Sequence, residues 1–297
     1  MNQGKGGLER VVIGHAATGA SAEVYLLGAH LTSFIPKRGG ADLLFVSQKA
    51  EFAEGKAIRG GVPIIFPQFS DMGPLTKHGF ARTALWEVAS AADSEVTLVL
   101  RSSEATRKLW PHDFEALFRI ALVPHGGTPF FQEAALETEF TVKNTGSSAF
   151  AFTVALHTYF AVKDIHVTRV EGLHREGEDL YYLDNTQGRK KIKEESRDVG
   201  FTGETDRIYL HTADELRLND TERAIVIKKS GLADAVVWNV WADKVKSMAD
   251  LGDDEWPRYA CVEVAAVEHP VQLNPQQSWT GKQTLYEQSR SRSPSAL

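Results

Sequence analysis

The chain has 297 residues, 42% of them hydrophobic and 24% charged, with a formal net charge of -6 at pH 7. This is ordinary globular composition; the acidic balance argues against a nucleic-acid partner, and no stretch reaches the roughly 20 apolar residues of a membrane span. Cys261 is the only cysteine, so no intrachain disulfide can form, and without an apolar leader the expectation is a soluble, cytoplasmic monomer with no nucleic-acid or membrane partner.

Residues 1–7 are polar and glycine-rich and are expected to fray. From Leu8 onward, short apolar runs at 11–13, 23–27 and 43–46 are separated by turn residues. In the stretch 58–69, Pro63 and Pro67 cannot donate to a sheet ladder, which favours a buried loop over a central strand. Strands are expected at 84–88 and 96–100. Residues 107–113, with Trp110-Pro111-His112-Asp113, read as a loop leading into a strand at 114–123, and Gly126-Gly127-Thr128-Pro129 reads as a turn. Residues 133–143 alternate, Leu136, Thr138, Phe140 and Val142 against Glu137, Glu139, Thr141 and Lys143, which predicts a strand with one wet face. Residues 149–160 are apolar on both faces and predict a buried strand. Residues 169–207 are polar with weak periodicity, and 188–195 read as a solvated loop or hairpin. Strands are predicted again at 223–229, 235–238, 260–267 and 278–286, with a short helix at 244–250 and a disordered tail at 290–297. Such spacing predicts an all-β protein, a large antiparallel β-sandwich. One domain is expected over residues 8–288, with flexible termini at 1–7 and 289–297. No P-loop, zinc pattern, dinucleotide fingerprint or internal repeat is present.

Residues that could carry chemistry concentrate in two neighbouring segments. Arg59-Gly60-Gly61-Val62-Pro63 opens the first, and Lys77-His78-Gly79-Phe80-Ala81-Arg82 forms the second. The glycine pair permits positive φ and close approach to a ligand, and the arginine forks suit phosphate or carboxylate. Taken singly, the glycines could be turns and the arginines sheet-edge caps; the cluster points to a site. His157 ends the small-chained face Ala149, Ala151, Thr153, Ala155, where a titratable ring at the floor of a groove and a bonded core histidine are equal readings. Glu263 sits in the otherwise uncharged run Tyr259-Ala260-Cys261-Val262-Glu263-Val264-Ala265-Ala266. Burial would raise its pKa toward that of a general base, and a structural ion pair is the competing reading. His78 could bond a sugar hydroxyl or cap a turn, Asp206 could accept hydroxyls or pair with Arg207, and Trp238 could stack on a sugar ring or belong to the core.

Arg59-Gly60-Gly61-x-Pro63-x-x-Phe66-Pro67 followed by His78-Gly79-Phe80-Ala81-Arg82-x-x-x-Trp86-Glu87 resembles the hexose-6-phosphate mutarotases, the glucose-6-phosphate 1-epimerase branch of the aldose 1-epimerase family. The resemblance continues through Leu156-His157-Thr158-Tyr159-Phe160, Thr205-Asp206-Arg207, Val237-Trp238-Asn239 and Cys261-Val262-Glu263, so it spans most of the chain. It implies a galactose mutarotase-like supersandwich that interconverts the α and β anomers of a hexose 6-phosphate, D-glucose 6-phosphate above all, with no metal or organic cofactor. It also implies His157 as the acid, Glu263 as the base, and Arg59, Arg82 and Asp206 as phosphate and sugar contacts. Lys77 replaces a frequent glutamine, and Val264-Ala265-Ala266 stands where some relatives have Pro-Gly. Two other readings are a non-catalytic sugar-phosphate-binding protein on the same fold and an epimerase of unphosphorylated sugars. The cations Arg59, Lys77 and Arg82 argue against the second, since a neutral sugar has no use for three positive charges.

Overall fold

A computed structural model describes residues 1–128, 131–221 and 223–288; the expected tail at 290–297 and Pro129 of the expected turn lie outside these residues. Strands dominate, and they form three antiparallel sheets. The largest runs in the spatial order Asp198–Gly200, Arg169–Glu171, Glu215–Asn219, Ala224–Ser230, Ser278–Gln288, Phe131–Asn144, Phe114–Thr128, Glu95–Arg101, Glu87–Ala92. The second runs Lys190–Glu194, Leu180–Asp184, Thr205–Leu210, Asp234–Asn239, Tyr259–Leu273, Phe150–Leu156, Ile64–Ile65, with Tyr159–Ala161 also paired to Tyr259–Leu273. A smaller sheet holds Asn2–Gln3, Glu9–His15, Ala20–Tyr25 and His30–Ile35.

The alternation read in the sequence sets which face goes where. In Phe131–Asn144, Leu136, Thr138, Phe140 and Val142 are buried, while Glu137, Glu139, Thr141 and Lys143 are partly exposed. Phe118, Ile120, Phe140 and Leu285 of the first large sheet pack against Phe152, Val154, Val237, Val262 and Val264 of the second. The second sheet carries another apolar layer on its outer face, with Ala155, Ile208, Val236, Ala265 and Val267 packed with Ile65 and Phe69. Burial on both faces is why 149–160 and 260–267 lack polar alternation.

The segment 58–69 is a buried loop with only Ile64–Ile65 in the ladder, paired to Leu156 and Ala155. Phe66 anchors it, its ring meeting those of Phe80, Trp110, Phe114, Phe140 and Phe152 at centroid separations of 5.2–6.2 Å, all near edge-on. Gly60 and Gly61 have φ of 114° and 59°. Their close approach, however, is to the protein and not to a ligand. A Cβ at Gly60 would lie 2.4 Å from the Phe45 carbonyl oxygen, and one at Gly61 2.2 Å from that of Leu31.

Several local expectations are corrected. Residues 1–7 join the small sheet: Asn2–Gln3 pairs with Arg10 and Glu9, and the Lys5 N–H donates to the Tyr25 hydroxyl at 3.0 Å. The loop expected at 107–113 begins as a helix, Glu104–Leu109, capped by reciprocal bonds between Ser103 and Thr106. The helix expected at 244–250 starts earlier, as Trp241–Lys244, and continues as a 3-10 turn, Val245–Ser247. Residues 43–46 make only isolated bridges, to Phe160 and Gly60. Five strands lie within 169–210, so weak periodicity there reflected short strands at sheet edges and ends, not an absence of strands.

His30 is fully buried beneath the glycine pair, its Nε2 donating to the Gly60 carbonyl at 2.8 Å. Burial lowers its pKa to about 4, against the opposing pull of that hydrogen bond and with help from the Arg82 charge. The unfolded chain would therefore take up a proton near pH 6.5 that the folded chain refuses until about pH 4. Stability should thus fall with decreasing pH through this window, by about 1.4 kcal/mol per pH unit from this group alone. Urea midpoints measured between pH 7 and pH 4.5 test this, and His30→Gln, which keeps a donor toward Gly60, should flatten the slope. An unchanged slope in the variant would show that the ring does not titrate there.

Candidate active site

The outer face of the second sheet holds the candidate functional residues. In Tyr259–Leu273, Val262, Val264 and Ala266 point into the core between the sheets, so Glu263 points the other way. Glu263 pairs in register with Val236, and Asp206 with Trp238, which puts Asp206, Val236, Trp238 and Glu263 on one face of adjacent strands. His157 follows Phe150–Leu156, and its N–H donates to the Pro63 carbonyl at 3.0 Å. The segment after Phe66 then folds over this face. His78 and Gly79 take φ of 71° and 69°, and at Gly79 a Cβ would meet the Phe66 carbonyl oxygen at 2.3 Å.

Arg59, Lys77, His78, Arg82, His157, Asp206, Trp238 and Glu263, all eight residues singled out in the sequence, line one cavity of about 240 Å³. At its floor, His157 Nε2 lies 3.3 Å from Glu263 Oε1, the two side chains being 9% and 2% exposed. The other oxygen, Glu263 Oε2, is buried without a hydrogen-bond partner among the described residues. The His157 ring lies flat on Tyr159, with centroids 4.7 Å apart and planes 8° apart, and meets His78 and Trp238 edge-on.

The cationic wall is asymmetric. Arg59 donates from Nε to Asp250 Oδ2 at 3.1 Å, with Nη2 2.9 Å from the same carboxylate oxygen as an ion pair, and from Nη1 to the Tyr159 hydroxyl at 3.0 Å. Arg82 donates from Nη2 to the Lys77 carbonyl at 3.0 Å, while its buried Nε has no partner among the described residues. Lys77 is exposed at the rim.

The electrostatics follow from burial in a cationic setting. Burial pushes the Glu263 carboxyl well above its usual range, reinforced by Asp206 and opposed by Lys77 and Arg82. Burial pushes His157 well down, aided by His78, Arg59 and Arg82. Both shifts favour one neutral arrangement of the pair, with the proton on Glu263. Burial also drives His78 down to about 2, with Arg82, Lys77 and Arg59 adding to it, so its ring is neutral at any working pH. Its Nδ1 accepts the Ser70 N–H at 3.2 Å, which leaves the ring hydrogen on Nε2 and makes His78 a fixed donor. Asp206 accepts from Asn185 Nδ2 at 2.7 Å, and burial raises its pKa against that bond.

Sequence reasoning missed Asn185, Lys244, Ser247 and Met248, which also line the cavity. Asn185 follows Leu180–Asp184 in the tight connection that leads to Lys190–Glu194, and there it reads as a turn former. Lys244 is ion-paired to Glu204, a link between distant loops that no local pattern announces.

Known proteins resemble this chain in sequence and in fold. Residues 9–286 match the aldose 1-epimerase family, and the chain belongs to that family of epimerases. Its relatives include a Cenchrus ciliaris protein provisionally named glucose-6-phosphate 1-epimerase, 41% identical over 290 residues, which is 94% of this chain and 84% of that protein. A Salmonella typhimurium protein with the same provisional name is 33% identical over 286 residues, covering 94% and 90% of the two chains. The crystal structure of a Salmonella typhimurium protein provisionally named a mutarotase matches with a TM-score of 0.81 and 32% identity, covering 95% and 91%. A galactose mutarotase related enzyme from Lactobacillus acidophilus shares the fold, with a TM-score of 0.74 at 15% identity over 96% and 99% of the chains.

Proposed function

We propose that this epimerase interconverts the α and β anomers of a hexose 6-phosphate, D-glucose 6-phosphate being the leading candidate. The observation that carries this reading is the meeting, in one cavity, of a buried His157–Glu263 pair with two arginines, one of which has a buried N–H without a partner among the described residues. The anomeric hydroxyl and the ring oxygen are bonded to the same carbon, so an acid and a base within a few ångströms of one another can serve both.

Glu263 takes the proton of the anomeric hydroxyl while His157 donates one to the ring oxygen. The C1–ring-oxygen bond breaks and C1 becomes an aldehyde. Rotation about C1–C2 turns the aldehyde, the ring oxygen attacks its other face, and both protons return. At the ring-opened stage the proton sits on Glu263 and the imidazole is neutral. Burial favours that same distribution, so the site stabilises the open form relative to the charged pair. Phosphate bound by Arg59 and Arg82 would offset the positive charges that hold His157 down, which helps the ring carry the proton it must donate. His78, a neutral Nε2 donor, and Asp206, an acceptor, are placed to bond sugar oxygens, and Trp238 offers an apolar face.

The test is anomer exchange followed by NMR magnetisation transfer on glucose 6-phosphate and on glucose. Fast exchange of the phosphate ester with little effect on glucose is expected. Equal acceleration of both would favour an epimerase of unphosphorylated sugars, and binding without acceleration would favour a sugar-phosphate-binding protein.

A further inference from the structure

Tyr159 belongs to neither the acid–base pair nor the cationic wall, yet it touches both. Its hydroxyl accepts from Arg59 Nη1 at 3.0 Å, and its ring lies parallel beneath His157 at 4.7 Å. The side chain is 1% exposed, and burial pushes the phenol up, so the group stays neutral and its lone pairs remain available as acceptors. Its backbone is fastened on both sides: the N–H donates to the Gly61 carbonyl at 2.9 Å, and the carbonyl accepts from the Phe45 N–H at 2.9 Å. Gly61 lies two residues beyond Arg59, and the Arg59 carbonyl accepts from the Ser47 N–H at 3.0 Å. The His157 N–H is bonded to Pro63 of the same loop.

We propose that Tyr159 is a positioning residue, which fixes the guanidinium of Arg59 from the protein side and the plane of His157 from below, so that anion clamp and acid form one rigid unit. This inference rests on the function proposed above. Asp250 holds the same guanidinium through Nε and Nη2, from a side that is 24% exposed. With Nε bonded to Asp250, Nη2 ion-paired to the same carboxylate and Nη1 bonded to Tyr159, the guanidinium is held from two sides, and its terminal nitrogens keep N–H groups for an anion. Loss of the phenolic oxygen leaves the fork held from the Asp250 side alone. Its orientation then has to be recovered at the moment of binding, which weakens anion capture more than turnover.

The test is Tyr159→Phe, which keeps the ring against His157 and removes only the hydroxyl. Two readouts are needed: the KM and kcat for glucose 6-phosphate, and the Kd of inorganic phosphate by titration calorimetry. KM and the phosphate Kd should both rise on the order of tenfold, as for loss of a hydrogen bond to a charged group, with KM changing more than kcat. In an Arg59→Ala background the same substitution should add little, because the group it positions is gone. Asp250→Asn supplies a second variant acting on Arg59 from the more exposed side, and it should shift KM and Kd in the same direction. A phosphate Kd equal to that of the wild type in Tyr159→Phe, undetectable phosphate binding by the wild type, or fully additive effects with Arg59→Ala would each overturn the proposal. Phosphate binding is read without turnover, so a wild type that binds phosphate but exchanges no anomers overturns the functional reading and leaves the positioning result standing.

Discussion

Glu263→Gln should lower the rate of anomer exchange by about 10²–10⁴-fold, the usual contribution of a general acid–base group. The substitution keeps the size of the side chain and replaces a carboxyl that has one buried oxygen facing His157 and another without a partner. The amide cannot accept a proton from the anomeric hydroxyl, so the deficit should fall on kcat. His157→Ala should produce a loss of the same order, but it also opens a void over Tyr159 and Trp238 and removes the contact to a buried carboxyl. Glu263→Gln is therefore the cleaner of the two. Thermal melting should place the glutamine variant close to the wild type, and glucose 6-phosphate should still bind. Near-normal exchange in either variant would mean that the residue concerned is structural.

The second large effect is expected at the arginines. A charge-assisted hydrogen bond contributes about 1.5–3 kcal/mol, so Arg82→Ala should raise the KM for glucose 6-phosphate by roughly 10- to 100-fold. The structure separates the two arginines. Among the described residues Arg82 donates to a backbone carbonyl and keeps a buried Nε unpaired, so its removal mainly deprives the ligand. Arg59 is bound to Asp250 and Tyr159, so Arg59→Ala also strands a carboxylate beside the cavity, and the effect on stability should be the larger of the two. The informative quantity is the ratio of kcat/KM for glucose 6-phosphate to that for glucose. It should collapse in both variants, and a ratio unchanged from the wild type would leave phosphate selectivity without a residue behind it.

The class of fold was legible in the residues alone, as were the polar side chains that meet in the candidate site. Alternation in 133–143 and apolar continuity in 149–160 and 260–267 are consequences of how many faces of a strand are buried, which is a local property. A carboxylate inside an uncharged run such as that around Glu263 stands out because burying it unpaired is costly. Local patterns also misled. The pattern at Gly60 and Gly61 suggests room for a ligand, whereas these glycines make room for the carbonyls of Phe45 and Leu31. The short strands between 169 and 210 carry too few residues each for a period to emerge.

Which groups meet depends on contacts between distant parts of the chain. Arg59 and Asp250 are 191 residues apart, and Arg59 and Tyr159 are 100 apart. Nothing in the residues flanking Arg59 announces that its guanidinium is held by these partners while the buried Nε of Arg82 has none among the described residues. The same holds for the protonation of the pair. Burial shifts the pKa values of histidine and glutamate in opposite directions, and that burial depends on a loop anchored by Phe66, a turn at His78–Gly79 and a sheet buried on both faces. Those long-range contacts push the two side chains toward the neutral distribution in which the proposed ring opening ends.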